Sequence, residues 1–364
     1  MEAVAAFTDT YLPTVNGVTY TITAWRDRWA DRGGRMDVVY PRSAHDPGAG
    51  EVPVGSVPFP FYDGYRLAAP RVPAGVRDVD VVHVHTPFTL GLAGLRLARR
   101  RDLPVVASFH TPIDEYTDYI APTDRTAAGL RRLGEWWQRR FLGRVDRVLV
   151  PSEATRTRLE GLGVGPPVSV LSNGVDTERF RPVDPGSFRD AHGLPADRPL
   201  VGYTGRHGYE KRLDALVDAA AGLDVTLVLG GDGPARAELE RRAERAGIDA
   251  RFLGFLERES LPAFYSALDV FAHPSPVETE GLVVLEAAAC GTPAVGVDRG
   301  ALAGTIDEGV TGHHFEAGDT EGFRDAIERA LSERDRLGEN CLSRRDALGL
   351  DRTLDRLASI YASL

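Results

Sequence analysis

Apolar residues in this chain gather into short runs separated by longer amphipathic stretches, the alternation expected of parallel strands covered by helices. In the first half the runs Val4–Phe7, Met36–Tyr40, Val79–Val84, Pro104–Phe109 and Val145–Val150 read as strands. In the second half Leu200–Thr204, Val225–Leu229, Ala250–Leu253, Val270–Ala272 and Pro293–Val297 repeat the pattern. Two α/β halves follow. The periodicity breaks at Arg181-Pro182-Val183-Asp184-Pro185-Gly186, where two prolines and a glycine interrupt any regular element. The expected domains are therefore 1–182 and 183–350. Beyond them, Leu354, Leu357, Ile360 and Tyr361 recur at helical spacing and predict a terminal helix, 351–364, packed on one of the domains and able to return to the first. Ala44–Gly50 reads as an exposed loop.

At 364 residues the chain is long enough for two domains that each bury a core. No apolar run reaches membrane-spanning length, and the first residues lack the pattern of a secretory leader, so the expected location is the cytoplasm. Cys290 and Cys341 are too few and too far apart for a disulfide framework or a zinc site, and read as small apolar fillers. A formal net charge of -10 argues against nucleic acid as a partner. Lys211 is the only lysine; every other basic side chain of that class is an arginine. A lone lysine suits a place where a compact point charge is wanted rather than a planar fork.

In open parallel sheets ligands sit beyond the carboxyl ends of the strands, so chemistry is sought there. The strongest pattern is Glu278-Thr279-Glu280-Gly281-Leu282-Val283-Val284-Leu285-Glu286-Ala287, behind a Pro-Ser-Pro turn at 274–276. Gly281 opens an apolar helix whose first N–H groups, near Gly281 and Leu282 and on to Val283, would face an anion. Glu278 lies before the helix and Glu286 within it, so they can reach different parts of one elongated ligand; the plainer reading is an acidic cluster that complements the helix dipole. Next, Tyr203-Thr204-Gly205-Arg206-His207-Gly208-Tyr209-Glu210-Lys211-Arg212 follows the first strand of the second half. There Arg206 and Lys211 could clamp a diphosphate. The P-loop spacing is absent. Gly230–Pro234 reads as a tight turn without the full dinucleotide fingerprint.

In the first half, Thr8–Val18 follows the opening strand, and its Asn16-Gly17 offers a backbone that can approach a ligand closely. Ser108-Phe109-His110-Thr111-Pro112 ends another strand and places His110 at the same edge. His83 and His85 alternate on one strand; with no carboxylate or cysteine to complete a metal set, they read as core or edge histidines. Leu130–Leu142 is basic and carries Trp136 and Trp137. It reads either as an amphipathic helix packed on the first domain or as one that lies on an anionic membrane.

Taken in order, these pieces resemble the retaining family 4 glycosyltransferases of the GT-B fold: Pro13–Val18, Val81–Pro87, Ser108–Thr111, Val150–Glu153, Ser172–Asp176, Gly205-Arg206 with Glu210-Lys211, Gly231–Pro234, and Glu278 to Glu286. The resemblance implies an α/β fold of two Rossmann-like parallel-sheet domains facing across a cleft. It implies that Arg206 and Lys211 neutralise the donor diphosphate, that Glu286 binds the ribose hydroxyls and Glu278 the donor-sugar hydroxyls, that His110 lines the sugar pocket, and that Gly17 lets its loop close over the phosphates. Two departures stand out: Asn16 where many members have glycine, and Glu280 where an aromatic is common. A retaining transfer can run by double displacement on a carboxylate nucleophile or by a front-face route through an oxocarbenium-like state; the resemblance favours the second, with the leaving phosphate taking the acceptor proton and no metal or cofactor beyond the nucleotide-sugar co-substrate. The donor, a UDP-hexose or GDP-mannose, stays open. Phe59–Ala68 and the Asn-Gly loop are similar to the subset that glycosylates or sulfoquinovosylates membrane lipids, or transfers mannose to lipid-like acceptors. A lipid acceptor, with peripheral contact at the inner face of the membrane, is the resulting expectation. A soluble sugar or glycan acceptor, a sugar-nucleotide epimerase on the same fold and a silent nucleotide-sugar-binding partner are the alternatives.

Overall fold

The computed structural model describes residues 1–59, 65–110 and 124–364; in the helix Asp124–Leu142 side chains are described from residue 128 on. Residues 60–64 of the aromatic segment, and Thr111-Pro112 after His110, lie outside the described residues. The chain forms two compact units, one of Met1–Asn173 with Leu350–Leu364 and one of Gly174–Gly349. The change of unit comes earlier than the proline-rich stretch at 182 suggests. Val175 and Phe180 are already buried in the second unit's core, so the chain has joined that unit before its periodicity breaks.

The first unit is built on a seven-stranded parallel sheet of β1 (Ala3–Phe7), β2 (Arg35–Pro41), β3 (Glu51–Val54), β6 (Val81–Val84), β7 (Val105–Ser108), β8 (Arg147–Val150) and β9 (Val168–Val170). Its order is β3-β2-β1-β6-β7-β8-β9, and a small antiparallel pair, β4 (Ser56–Pro58) with β5 (Arg66–Ala68), stands apart. Both faces of the sheet are covered, which is why β1 reads as an unbroken apolar run rather than an alternating one. Val4 and Ala6 pack with Ile22, Trp25 and Trp29 of the helix Gly17–Asp31 and with Leu354, Leu357 and Tyr361 of the terminal helix. Ala5 and Phe7 pack on the opposite side with Leu90, Ala93 and Leu97 of the helix Thr89–Arg101 and with Phe141. The outermost strands β3 and β9 escaped the sequence reading. One contains Pro53 and the other is three residues long, features tolerated at sheet edges.

The second unit holds six parallel strands in the order β12-β11-β10-β13-β14-β15. These are β10 (Leu200–Thr204), β11 (Thr226–Gly230), β12 (Ala250–Gly254), β13 (Val270–His273), β14 (Ala294–Val297) and β15 (Gly312–Phe315). β15 was not foreseen, because Gly-His-His is a polar-looking strand. His313 is buried there with its two ring nitrogens 2.9 Å from Glu308 and 3.3 Å from Glu333. Cys290 and Cys341 are both buried free thiols, with burial pushing each up to about 12. In each sheet the order reverses beside the first strand of its unit: β1 lies between β2 and β6, and β10 between β11 and β13. The crevice beyond the carboxyl ends at such a reversal is where open α/β sheets take ligands.

The terminal helix Leu350–Ala362 closes one face of the first unit. Its Leu354, Leu357 and Tyr361 are buried, and Arg32 bonds Asp351 and Asp355 at 2.7 and 2.8 Å on its exposed side. Exposed ion pairs of this kind contribute little, so the apolar stripe holds the helix. Leu357→Ala is expected to cost about 2–5 kcal/mol in urea unfolding of the first unit. A loss below about 1 kcal/mol would mean that the helix is not part of that core.

Candidate active site

In the second unit β10 and β13 are neighbours and end side by side. Tyr203, near the end of β10, is buried with its ring stacked on Phe271 and edge-on to His273. The chain then turns sharply at Gly205, and the turn after β11 presses against it: a Cβ at Gly231, whose φ is +105°, would lie 1.9 Å from the Gly205 carbonyl oxygen. Only glycine fits that approach. A short 3₁₀ turn, Tyr209–Lys211, brings Lys211 to the residues that follow β13.

Lys211 Nζ donates to Glu278 Oε1 at 2.5 Å, and His273 Nε2 lies 3.4 Å from the same oxygen. Burial pushes the Glu278 carboxyl up, but the Lys211 ammonium and His273 more than reverse this and hold it well below the usual carboxylate range. Burial likewise works against the Lys211 ammonium, and Glu278, Tyr203 and Glu210 overcome it and hold its pKa above the ordinary value. The pair is thus ionised. Beside it the more exposed guanidinium of Arg206 donates to Glu210 Oε1 at 2.6 Å. Both cations that the sequence proposed as a diphosphate clamp are therefore held by carboxylates, and Lys211 keeps two further donors on its ammonium.

Gly281 caps the helix Leu282–Ala289 in the left-handed region, φ +82°, where a Cβ would lie 2.7 Å from Leu302 Cδ2. The N-cap, Gly281, has no side chain with which to cap, so the backbone at Leu282 and Val283 forms the positive end of this helix. Glu280 is buried, and its carbonyl accepts from Thr305 Oγ1 at 2.5 Å, so at this departure from the family pattern it is the backbone that ties the turn. Glu286 points into a different surrounding: Tyr265 donates its hydroxyl to Oε2 at 2.9 Å, and Arg258 Nη1 lies 3.6 Å from Oε1. Burial raises the Glu286 pKa, which Arg258 and Tyr265 offset only in part. Two glutamates of one motif thus differ in their electrostatics, the first held well below the ordinary carboxylate value and the second raised above it.

In the first unit Asn16 caps the helix Gly17–Asp31. Its Oδ1 accepts from Thr19 N at 2.9 Å, and its Nδ2 donates to Thr10 Oγ1 at 2.9 Å. Capping explains an asparagine where the family often has glycine. A Cβ at Gly17 would meet nothing within 4 Å, so no packing within the described protein demands that glycine. His110 follows β7, its Nε2 3.0 Å from His85 Nδ1, and burial pushes its pKa down to about 4. His83 is a core residue bound to Tyr361 and Ser108. Among the described residues no three His, Cys, Asp or Glu side chains are grouped to hold a metal ion.

Two residues at strand ends, one in each unit, escaped the sequence reading. His273 ends β13, a run read as stopping at Ala272; the strand-end rule that selected His110 would have found it. Asp9 is buried just after β1, accepts from Thr86 and Thr89 hydroxyls at 2.7 Å each and from Leu90 N at 3.0 Å, and so caps the helix Thr89–Arg101. The adjacent tryptophans divide their roles. Trp137 donates to the Pro87 carbonyl at 2.8 Å and packs near Phe141, whereas Trp136 is 48% exposed alongside Leu130 and Leu133.

A family model described as Glycosyltransferase Family 4 matches residues 15–179, and one described as Glycosyl transferases group 1 matches residues 186–344. A GDP-mannose-dependent alpha-mannosyltransferase of Mycobacterium tuberculosis is 33% identical over 361 residues, covering 95% of this chain and 92% of that protein. An alpha-monoglucosyldiacylglycerol synthase of Streptococcus pneumoniae is 29% identical over 313 residues, 80% of this chain and 70% of that protein. The fold is shared with the solved sucrose-phosphate synthase from Thermosynechococcus elongatus, with a TM-score of 0.81 at 22% identity, over 100% of this chain and 99% of that one. The chain belongs to the group 1, family 4 glycosyltransferases.

Glu278 has a carboxyl held below its ordinary value of 4.5, so the stability it contributes is present above that pH and lost as pH falls toward the depressed folded value. Glu278→Gln is therefore expected to flatten the acid side of the thermal stability curve between roughly pH 5 and pH 3, measured by calorimetry. Parallel curves for the two proteins would show that Glu278 is not ion-paired.

Proposed function

We propose that this glycosyltransferase transfers a hexose with retention of configuration from a nucleotide sugar, GDP-mannose first among the candidates, to a lipid acceptor. The observation that carries the reading is the placement of the chain's only lysine at the end of β10 against Glu278. As the donor binds, its diphosphate competes for the Lys211 ammonium and the Arg206 guanidinium, and the Glu278 carboxylate is released toward the sugar hydroxyls. The bond between the anomeric carbon and the diphosphate oxygen breaks with its electron pair going to the phosphate. The acceptor oxygen bonds to the same face of that carbon, and its proton passes to the leaving phosphate. Lys211, Arg206 and the helix start at Leu282 and Val283 meet the charge that develops on the leaving group. Glu286 can accept hydrogen bonds from ribose hydroxyls. His110 lines the sugar pocket, and the loop at Gly17 closes on the phosphates. The charge on the diphosphate is met by side chains and backbone, so turnover is expected without added metal.

The donor preference is supported by the mannosyltransferase, which is named for GDP-mannose and is similar over nearly the whole chain. The lipid acceptor is supported by the synthase whose name carries diacylglycerol, and by the helix Asp124–Leu142. There Leu130, Leu133 and Trp136 are exposed at a spacing of three, flanked by exposed Arg131, Arg132, Arg139 and Arg140. An apolar ridge with arginines beside it fits the headgroup region of an anionic membrane. Among the described residues no helix is long and apolar enough to cross a membrane, so contact would be peripheral, at the cytoplasmic face.

Nucleotide release from a panel of GDP- and UDP-sugars, with and without a lipid extract and followed by mass spectrometry of the lipids, tests the reading. Lipid-dependent release of GDP with a hexose added to lipid is expected, unchanged by EDTA. Lys211→Ala should lower kcat by about a hundredfold or more while the circular dichroism spectrum stays the same. Release that responds to soluble sugars instead would discard the lipid acceptor, and no release from any donor would favour a silent binding partner. Leu133→Ser with Trp136→Ser is expected to reduce sedimentation with anionic liposomes severalfold without lowering the unfolding midpoint, whereas Trp137→Ser should lower that midpoint. Unchanged sedimentation of the double variant would remove the membrane contact from this helix.

A further inference from the structure

Three imidazoles run in a row through the first unit. His83 has Tyr361 Oη of the terminal helix 2.6 Å from its Nδ1 and Ser108 Oγ 2.8 Å from its Nε2. Its ring stacks on His85, with centroids 4.2 Å apart. His85 in turn lies edge to edge with His110, with centroids 5.3 Å apart and planes within 9°, and its Nδ1 lies 3.0 Å from His110 Nε2. The remaining nitrogen of His85, Nε2, is buried without a hydrogen-bond partner among the described residues.

Burial pushes His83 down to about 3 and His110 down to about 4, and drives His85 well below its ordinary value, so all three rings are neutral near pH 7. A neutral imidazole has one N–H and one lone pair, so in the His85–His110 contact one ring donates and the other accepts. Were the His85 proton on Nε2, that N–H would be a buried donor with no partner among the described residues. With the proton on Nδ1 the donor is satisfied, and only a lone pair is left over. Buried donors without partners are the rarer and costlier case.

We propose that His85 is a positioning residue for the transfer: its Nδ1–H donates to His110 Nε2 and so fixes the His110 proton on Nδ1. His110 then offers the donor sugar a hydrogen-bond donor of one fixed sense. His83, held at both nitrogens by Tyr361 and Ser108, keeps the His85 ring in plane from behind. The proposal rests on the reading of His110 as a donor-sugar contact.

The test is long-range proton–nitrogen NMR of the full-length chain labelled with nitrogen-15 in histidine, with the His110 signals assigned by their loss in His110→Asn. His110 in the Nδ1–H form and His85 in the same form are expected in the native protein. A native His110 carrying its proton on Nε2 overturns the proposal, with no variant needed. In His85→Phe, which keeps a stacked ring and removes the donor, His110 should lose its single tautomer. The kcat should fall about tenfold or more, with a smaller change in KM for the sugar nucleotide. His85→Asn, whose side-chain nitrogen can occupy the Nδ1 position, should restore both the tautomer and most of kcat. A His85→Phe protein with the native His110 tautomer overturns the proposal as well. If the native protein transfers no sugar from any donor, the proposed function fails, while the tautomer measurement still decides the hydrogen-bond assignment.

Discussion

Each unit answers to one constraint: a parallel sheet must be covered on both faces, because its strands carry apolar side chains above and below. Helices on either side meet that requirement and leave the ends of the strands as the places where backbone turns and polar side chains can gather. At β1 the constraint is visible residue by residue, with Val4 and Ala6 committed to one helical layer and Ala5 and Phe7 to the other. The strand ends carry the rest. Asp9, Asn16, His85 and His110 cluster beyond the first sheet, and Arg206, Lys211, His273 and Glu278 beyond the second.

The electrostatics of the second edge follow from how little positive charge it holds that is compact. A single ammonium sits against a carboxylate with a histidine behind it, and burial makes each partner depend on the other. Such a pair gives modest net stability, since the cost of removing both charges from water offsets much of their attraction. In the proposed reaction, an anionic ligand that takes the lysine would leave the carboxylate to meet hydroxyls. Glu286, eight positions on, is spared that competition because Tyr265 and Arg258 hold it from within the core.

Much of this was legible in the chain itself. The central strands announce themselves as unbroken apolar runs because they are buried twice over, and the strand-to-helix turns stand out by their glycines and charges. What stayed hidden has particular causes. β15 is disguised by histidines whose burial depends on Glu308 and Glu333, and the edge strands β3 and β9 are short or carry proline. The change of unit at Asn173 is invisible because the chain shows no break in composition where Val175 and Phe180 enter a new core. Trp136 and Trp137 look alike in sequence, yet Trp137 is held by the Pro87 carbonyl and Phe141 while Trp136 stays exposed.

The last helix belongs to the first unit although the whole second unit precedes it. The second unit is thereby an insertion, and its two ends meet: Val175 N donates to the Leu348 carbonyl at 2.9 Å, and Val175 pairs with Gly349. During synthesis the first unit emerges with one face of its sheet lacking Leu354, Leu357 and Tyr361. It cannot close its core until Leu350–Leu364 emerge, after the whole of Gly174–Gly349. The order of completion is therefore the reverse of the order of synthesis. Loss of Leu354, Leu357 and Tyr361 thus injures the half of the molecule that was made first.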